Sequence, residues 1–86
     1  MVAEIKMKIT VLGFGIAKEI FGSSEIHLEV NDVLDVRRLR VLLEEKYPPL
    51  AKLRSYMLAI NEEYAEDRQI INSGDEIALI PPVSGG

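Results

Sequence analysis

One segment of this chain has helical periodicity of useful length, and it lies between stretches that alternate with a period of two. Val36, Leu39, Leu43 and Tyr47 recur at spacings of three and four, with Leu42 beside them. That pattern predicts an amphipathic helix over residues 35–46 with one apolar stripe. Asp35 can cap the amide groups of the first turn. Pro48-Pro49 stops the helix, since Pro48 has no amide donor and disfavours helical geometry at Tyr47.

The flanking sequence reads as strands. From residue 5 to 11, Ile5, Met7, Ile9 and Val11 share one face, with Lys6, Lys8 and Thr10 on the other. Gly13 and Gly15 interrupt this run, and residues 16–21 can form a short helical turn closed by Gly22. In residues 25–30, Ile26, Leu28 and Val30 point inward, while Glu25, His27 and Glu29 point outward. Asn31-Asp32 breaks the strand. Beyond the helix, residues 50–54 are a connector with room for one helical turn, and 57–60 form a third strand. Asn61-Glu62-Glu63 is a turn, with a short return strand at Tyr64-Ala65. Residues 67–72 read as a loop whose Ile70 and Ile71 plug the edge of the core. Ser73-Gly74-Asp75 is another turn, and residues 77–80 are apolar at every position, which suits a central strand covered on both faces or nearly so.

Five strands and one main helix in 86 residues fit a mixed, curled sheet holding the helix across one face. The strand–helix–strand passage needs a crossover, for which the helix is long enough. This α+β order is that of the ubiquitin-like β-grasp. The expected division is a domain over residues 1–80 and an extended tail over 81–86. A chain of this size buries only about 60–65% of its unfolded surface, enough for one modest core and no deep cleft. Function should therefore sit on a surface, a loop or an end.

Composition narrows the function further. The net charge of −4 makes the chain a poor match for nucleic-acid phosphates or anionic lipid. There is no cysteine, so neither a disulfide framework nor thiolate chemistry can originate here. The first residues lack the apolar run of a signal peptide, and no stretch approaches the roughly 20 apolar residues of a membrane span. The expectation is a cytoplasmic protein that engages neither membrane nor nucleic acid.

The end of the chain is its most informative segment. From Ile77 to Gly86 no side chain is charged, and the sequence closes on Pro81-Pro82-Val83-Ser84-Gly85-Gly86. At a background glycine frequency of about 7%, two terminal glycines arise by chance in roughly one chain in 200. Glycine lacks a Cβ, so Gly85 and Gly86 can pass through a narrow channel in conformations closed to other residues. The Gly86 carboxylate is unhindered for attack on the α-phosphate of ATP, and adenylation would supply the leaving group that a carboxylate lacks. Pro81 and Pro82 favour an extended course at the root. Six residues reach roughly 20 Å, enough to enter another protein's active site.

The run Gly74-Asp75-Glu76-Ile77-Ala78-Leu79-Ile80-Pro81-Pro82-Val83-Ser84-Gly85-Gly86 resembles the C-terminal signature of the molybdopterin synthase small-subunit family, the sulfur carriers of molybdenum cofactor synthesis. Ala59-Ile60-Asn61-Glu62-Glu63-Tyr64 is similar to that family's third-strand hairpin. The resemblance implies a carrier with no catalytic activity alone and no intrinsic cofactor. Gly86 would be adenylated with ATP by an adenylyltransferase resembling the ubiquitin activators. A sulfur donor protein would then convert it to a thiocarboxylate. Pro81, Pro82, Val83, Ser84 and Gly85 would thread Gly86 into the large subunit of molybdopterin synthase, where the sulfur goes to cyclic pyranopterin monophosphate. A heterotetramer of two small and two large subunits is likewise implied. Phe14, Tyr64 and Ile80 match the family's apolar docking positions, Ile80 standing where an aromatic is frequent.

Two other uses of the tail stay open: a carrier for another pathway of the thiamine type, and a ubiquitin-like modifier forming isopeptide bonds through Gly86. Pro81-Pro82 speaks against the thiamine type. Elsewhere the signals are weak. His27 is the sole histidine and falls on the outward face of a strand, so no metal site is expected. Gly13-Phe14-Gly15 is too short for a phosphate loop. Arg37, Arg38 and Arg40 read as a solvated helix face, with Arg40–Glu44 a weak pair.

Overall fold

The computed structural model describes residues 7–30, 33–53 and 55–82. The first alternating run becomes β1, Met7–Gly13, with Ile9 and Val11 buried. It pairs antiparallel with β2, Glu25–Val30. Between them lies α1, Ile16–Phe21, closed by Gly22 at φ 78°, the left-handed turn that favours glycine. β3, Leu34–Asp35, leads into α2, Val36–Lys46, and a 3₁₀ turn over Pro48–Lys52 follows. Then come β4, Met57–Ile60; β5, Glu63–Tyr64; β6, Ile70–Ile71; and β7, Glu76–Ile80.

The main sheet has five strands in the order β2-β1-β7-β4-β5. β1 and β7 run parallel and the other pairs antiparallel, so the sheet is mixed, as expected of a β-grasp. The last long strand is its centre. The stripe on α2 packs on the inner face: Val36, Leu39 and Leu43 are fully buried with Leu58, Ile77 and Leu79. Burying side chains of this size contributes about 1.5–3 kcal/mol each.

The amide groups that open α2 are all bonded. Val36 N–H donates to the Gln69 carbonyl and Arg37 N–H to the Asp67 carbonyl, both at 3.0 Å. Arg38 N–H donates to Asp35 Oδ1 at 2.7 Å, which is the predicted cap. The segment carrying β6 therefore belongs to the helix start as well as to its own ladder with β3.

The structure revises several local expectations. β3 and β6 form a separate two-stranded ladder, Leu34 opposite Ile71 and Asp35 opposite Ile70, where a loop was expected. Ile71 plugs the core, but adjacent strand residues point to opposite faces, so Ile70 is exposed. The return strand is Glu63–Tyr64, one residue earlier than Tyr64-Ala65. β7 is covered on one face only: Ile77 and Leu79 are buried, whereas Ala78 and Ile80 are half-buried on the open side. Arg40 does not stand in solvent. Its guanidinium lies 4.9 Å from the Tyr56 ring centroid, donates to the Tyr56 carbonyl at 3.3 Å and sits 3.4 Å from Asp67. Tyr56 O–H donates to Glu44 Oε2 at 2.5 Å. Burial, then the hydrogen bond to Glu44, holds the phenol well above its ordinary pKa. Ile5, Lys6, Asn31, Asp32 and Arg54 lie outside the described residues.

Candidate functional site

Strand registers decide which side chains share the open face of the sheet. Directly paired residues point the same way. Leu12 faces Ala78, Ala78 faces Ala59, Ala59 faces Tyr64, and Ile80 faces Met57. All of these alternate with the buried set Val11, Ile77, Leu79, Leu58 and Ile60, so they lie on the side that α2 does not cover. The result is an apolar row across four strands. Met57 and Tyr64 are 49% and 65% exposed. The other end of the same face is polar, where Lys8 pairs with Glu29 and Thr10 with His27.

Tyr64 and Ile80 thus fall on one surface, two positions apart along the ladder. Phe14, 50% exposed, stands one residue beyond β1, where it shares a shallow groove with Leu12, Lys18 and Glu25. The sequence reading missed Leu12, Met57, Ala59 and Ala78. Strand alternation marks them as outward-facing, and an apolar residue at an outward position was the available signal.

The root of the tail adjoins this surface. β1 and β7 are parallel with Gly13 opposite Leu79, so Gly15 comes beside Pro81. A Cβ at Gly15 would sit 3.5 Å from Pro81 Cγ, and Gly15 itself is at φ 56° with ψ −126°, which a side chain would strain. Gly13 is needed for another reason. A Cβ there would come 2.7 Å from the Phe21 ring, so glycine lets α1 pack on the strand. Pro81 is half-buried and Pro82 exposed. The remaining tail positions, Val83, Ser84, Gly85 and Gly86, lie outside the described residues.

Two features keep Tyr64 in place. Asn61 and Glu62, the two-residue turn between β4 and β5, have φ of 50° and 73°, the type I′ arrangement that suits hairpins. Ala65 N–H also donates to the Leu58 carbonyl at 2.9 Å. The remaining polar groups of the open face form no second site. His27 Nδ1 lies 3.1 Å from Thr10 Oγ1 in an exposed pair. Among the described residues no group of His, Cys, Asp or Glu could hold a metal ion, and no helix is long and apolar enough to cross a membrane.

Residues 11–86 match the ThiS family model. The chain belongs to the ThiS family. A molybdopterin synthase sulfur carrier subunit of Caenorhabditis briggsae is 41% identical over 83 residues, spanning 93% of this chain and 99% of the relative. In the solved protein–protein complex of subunits 1 and 2 of molybdopterin-converting factor from Helicobacter pylori 26695, one chain is 30% identical. Its TM-score is 0.67, over 93% of this chain and 100% of that one. SAMP1 from Haloferax volcanii is 26% identical with a TM-score of 0.78, over 92% of this chain and 99% of that one. The ThiS-family chain is a ubiquitin-like β-grasp protein, as the strand order indicates.

Proposed function

We propose that this ThiS-family chain is the sulfur carrier subunit of molybdopterin synthase and that its open sheet face seats it on the large subunit. The observation that carries the reading is the placement of Pro81. It continues the central strand, packs beside Gly15 and leaves the fold next to the apolar row that contains Tyr64 and Ile80. A partner that covers this row receives the tail at the same time. The similarity to carrier subunits over nearly the whole chain supports the assignment.

In this mechanism the Gly86 carboxylate attacks the α-phosphorus of ATP on an adenylyltransferase, and pyrophosphate leaves. Sulfur from a donor protein then displaces AMP and leaves a C-terminal thiocarboxylate. Pro81 and Pro82 restrict the root, which lowers the entropy lost when Val83, Ser84 and Gly85 thread into the large subunit. There the thiocarboxylate sulfur bonds to a carbon of the pterin precursor, displacing an oxygen substituent, and water then cleaves the resulting thioester so that Gly86 returns as a carboxylate. We set this chemistry in the cytoplasm, with ATP consumed by the activating enzyme.

Intact-mass measurement after incubation with activating enzyme, ATP and sulfur donor tests the first half. The expected product has one oxygen replaced by sulfur, and an unchanged mass would overturn the carrier reading. Deleting Gly86 should abolish loading while leaving the melting curve in place. The likeness to SAMP1 of Haloferax volcanii, a small archaeal modifier protein, favours a second reading as a protein modifier. Recovery of Gly86 joined to lysines of other proteins would establish that role.

A further inference from the structure

The turn between β4 and β5 is fastened to the start of β7 by one side chain. Asn61 Nδ2 donates to Asp75 Oδ1 at 3.0 Å, and Asn61 Oδ1 accepts from Glu76 N–H at 3.0 Å. Asn61 N–H donates to the Glu76 carbonyl at 2.8 Å. Asp75 is itself held, since its Oδ2 accepts from Asn72 N–H at 2.8 Å and its amide donates to the Asn72 carbonyl at 3.0 Å. The three side-chain bonds are exposed, so the network contributes little to the core. What it controls is position. β5 has only two residues and lies at the sheet edge, while β7 carries Ile80 and runs into Pro81. A one-residue slip of the β4–β5 hairpin against β7 would send every side chain of the hairpin to the opposite face.

We infer that Asn61 is a positioning residue for partner docking: it locks the hairpin bearing Tyr64 to the strand bearing Ile80 and the tail. This rests on the reading of the open face as the seat of the large subunit. Asn61 suits the role because it tolerates positive φ and offers a donor and an acceptor together. Aspartate at this place would lose the donor and oppose Asp75, and glycine would keep the turn but lose both side-chain bonds.

The test compares the wild-type chain with Asn61→Gly, Tyr64→Ala, the double variant, and the exchange variant Asn61→Asp with Asp75→Asn. In the exchange variant the new amide can donate across the pair and still accept from Asn72 N–H, so every bond of the network is re-formed. Affinity for the molybdopterin synthase large subunit is measured by titration calorimetry. Asn61→Gly should weaken binding roughly three- to tenfold, the exchange variant should restore it, and Asn61→Gly should add little once Tyr64 is alanine. Wild-type affinity for Asn61→Gly, additive losses in the double variant, or no rescue by the exchange would overturn the inference. A partner-free measurement accompanies it. Hydrogen exchange at the Ala65 amide should quicken about tenfold in Asn61→Gly relative to the β1–β2 amides, and be restored by the exchange variant. Failure of the wild-type chain to bind would count against the docking reading, and the exchange rates alone would then decide whether Asn61 holds the hairpin.

Discussion

Glu62 occupies a backbone region that L-residues avoid, with φ at 73°. Asn61 before it is among the residues that accept such angles, but glutamate is not. Asn61-Glu62 is therefore half of the Asn-Gly pattern favoured in type I′ turns. Glu62→Gly should relieve the strain, and after the entropy glycine gives the unfolded chain the net gain should be about 0.5–1 kcal/mol, read from urea unfolding. Tyr56 gives a second prediction. Its phenol is raised in the folded chain, chiefly by burial, above the ordinary value of about 10. Above pH 10 the unfolded chain releases a proton that the folded chain keeps. Stability is thus fully present below pH 10 and falls as pH rises beyond it. Tyr56→Phe should remove this part of the alkaline loss, visible as a shallower decline of melting temperature from pH 9 to 11 than in the wild type. Neither residue's role was legible beforehand. Glu62 could be assigned to a turn but not to an angle, and Tyr56 precedes β4 with no pattern to show that Arg40 and Glu44 converge on it.

At the scale of elements, legibility followed length. β2 and α2 span enough residues for alternation or a stripe to repeat, and both lie where the pattern put them. β3 and β6 have two residues each, too few to show a period, and their pairing depends on a long-range contact that no local window contains. The cap of α2 was visible because Asp35 acts within its own turn. Asp35→Ala should cost about 1 kcal/mol through the exposed Arg38 amide, measurable by chemical denaturation. Gly13 illustrates the opposite case. Its need for a bare Cα comes from Phe21 in the next element, which the sequence does not reveal. Gly13→Ala should destabilise by about 1–3 kcal/mol by pushing α1 from the sheet, and the Phe21–Tyr47 ring pair, now 5.0 Å apart, should be disturbed in aromatic NMR shifts.

For the whole molecule, the sheet divides labour between its faces. One face buries α2 and supplies stability, while the other presents the apolar row, so binding and folding can be perturbed separately. Met57 lies opposite Ile80 on the exposed side. Met57→Glu should change stability by no more than about 0.5 kcal/mol, yet weaken large-subunit binding at least tenfold by placing a charge in a desolvated contact. Matching losses in both measurements would contradict this separation. The tail residues were picked out by sequence as chemistry, but the surface they depart from needed the registers. Tyr64 and Ile80 are 16 positions apart in the chain, and only β4 between them brings them to one plane.

β7 is gripped on both sides, by β1 in parallel and by β4 in antiparallel register. Tension applied through Pro82 runs along the strand axis, perpendicular to the ladder bonds. The bonds to both neighbours then share the load in shear and must yield together, unlike an edge strand peeled one bond at a time. Traction applied at Pro82 thereby meets the fold along its most resistant direction.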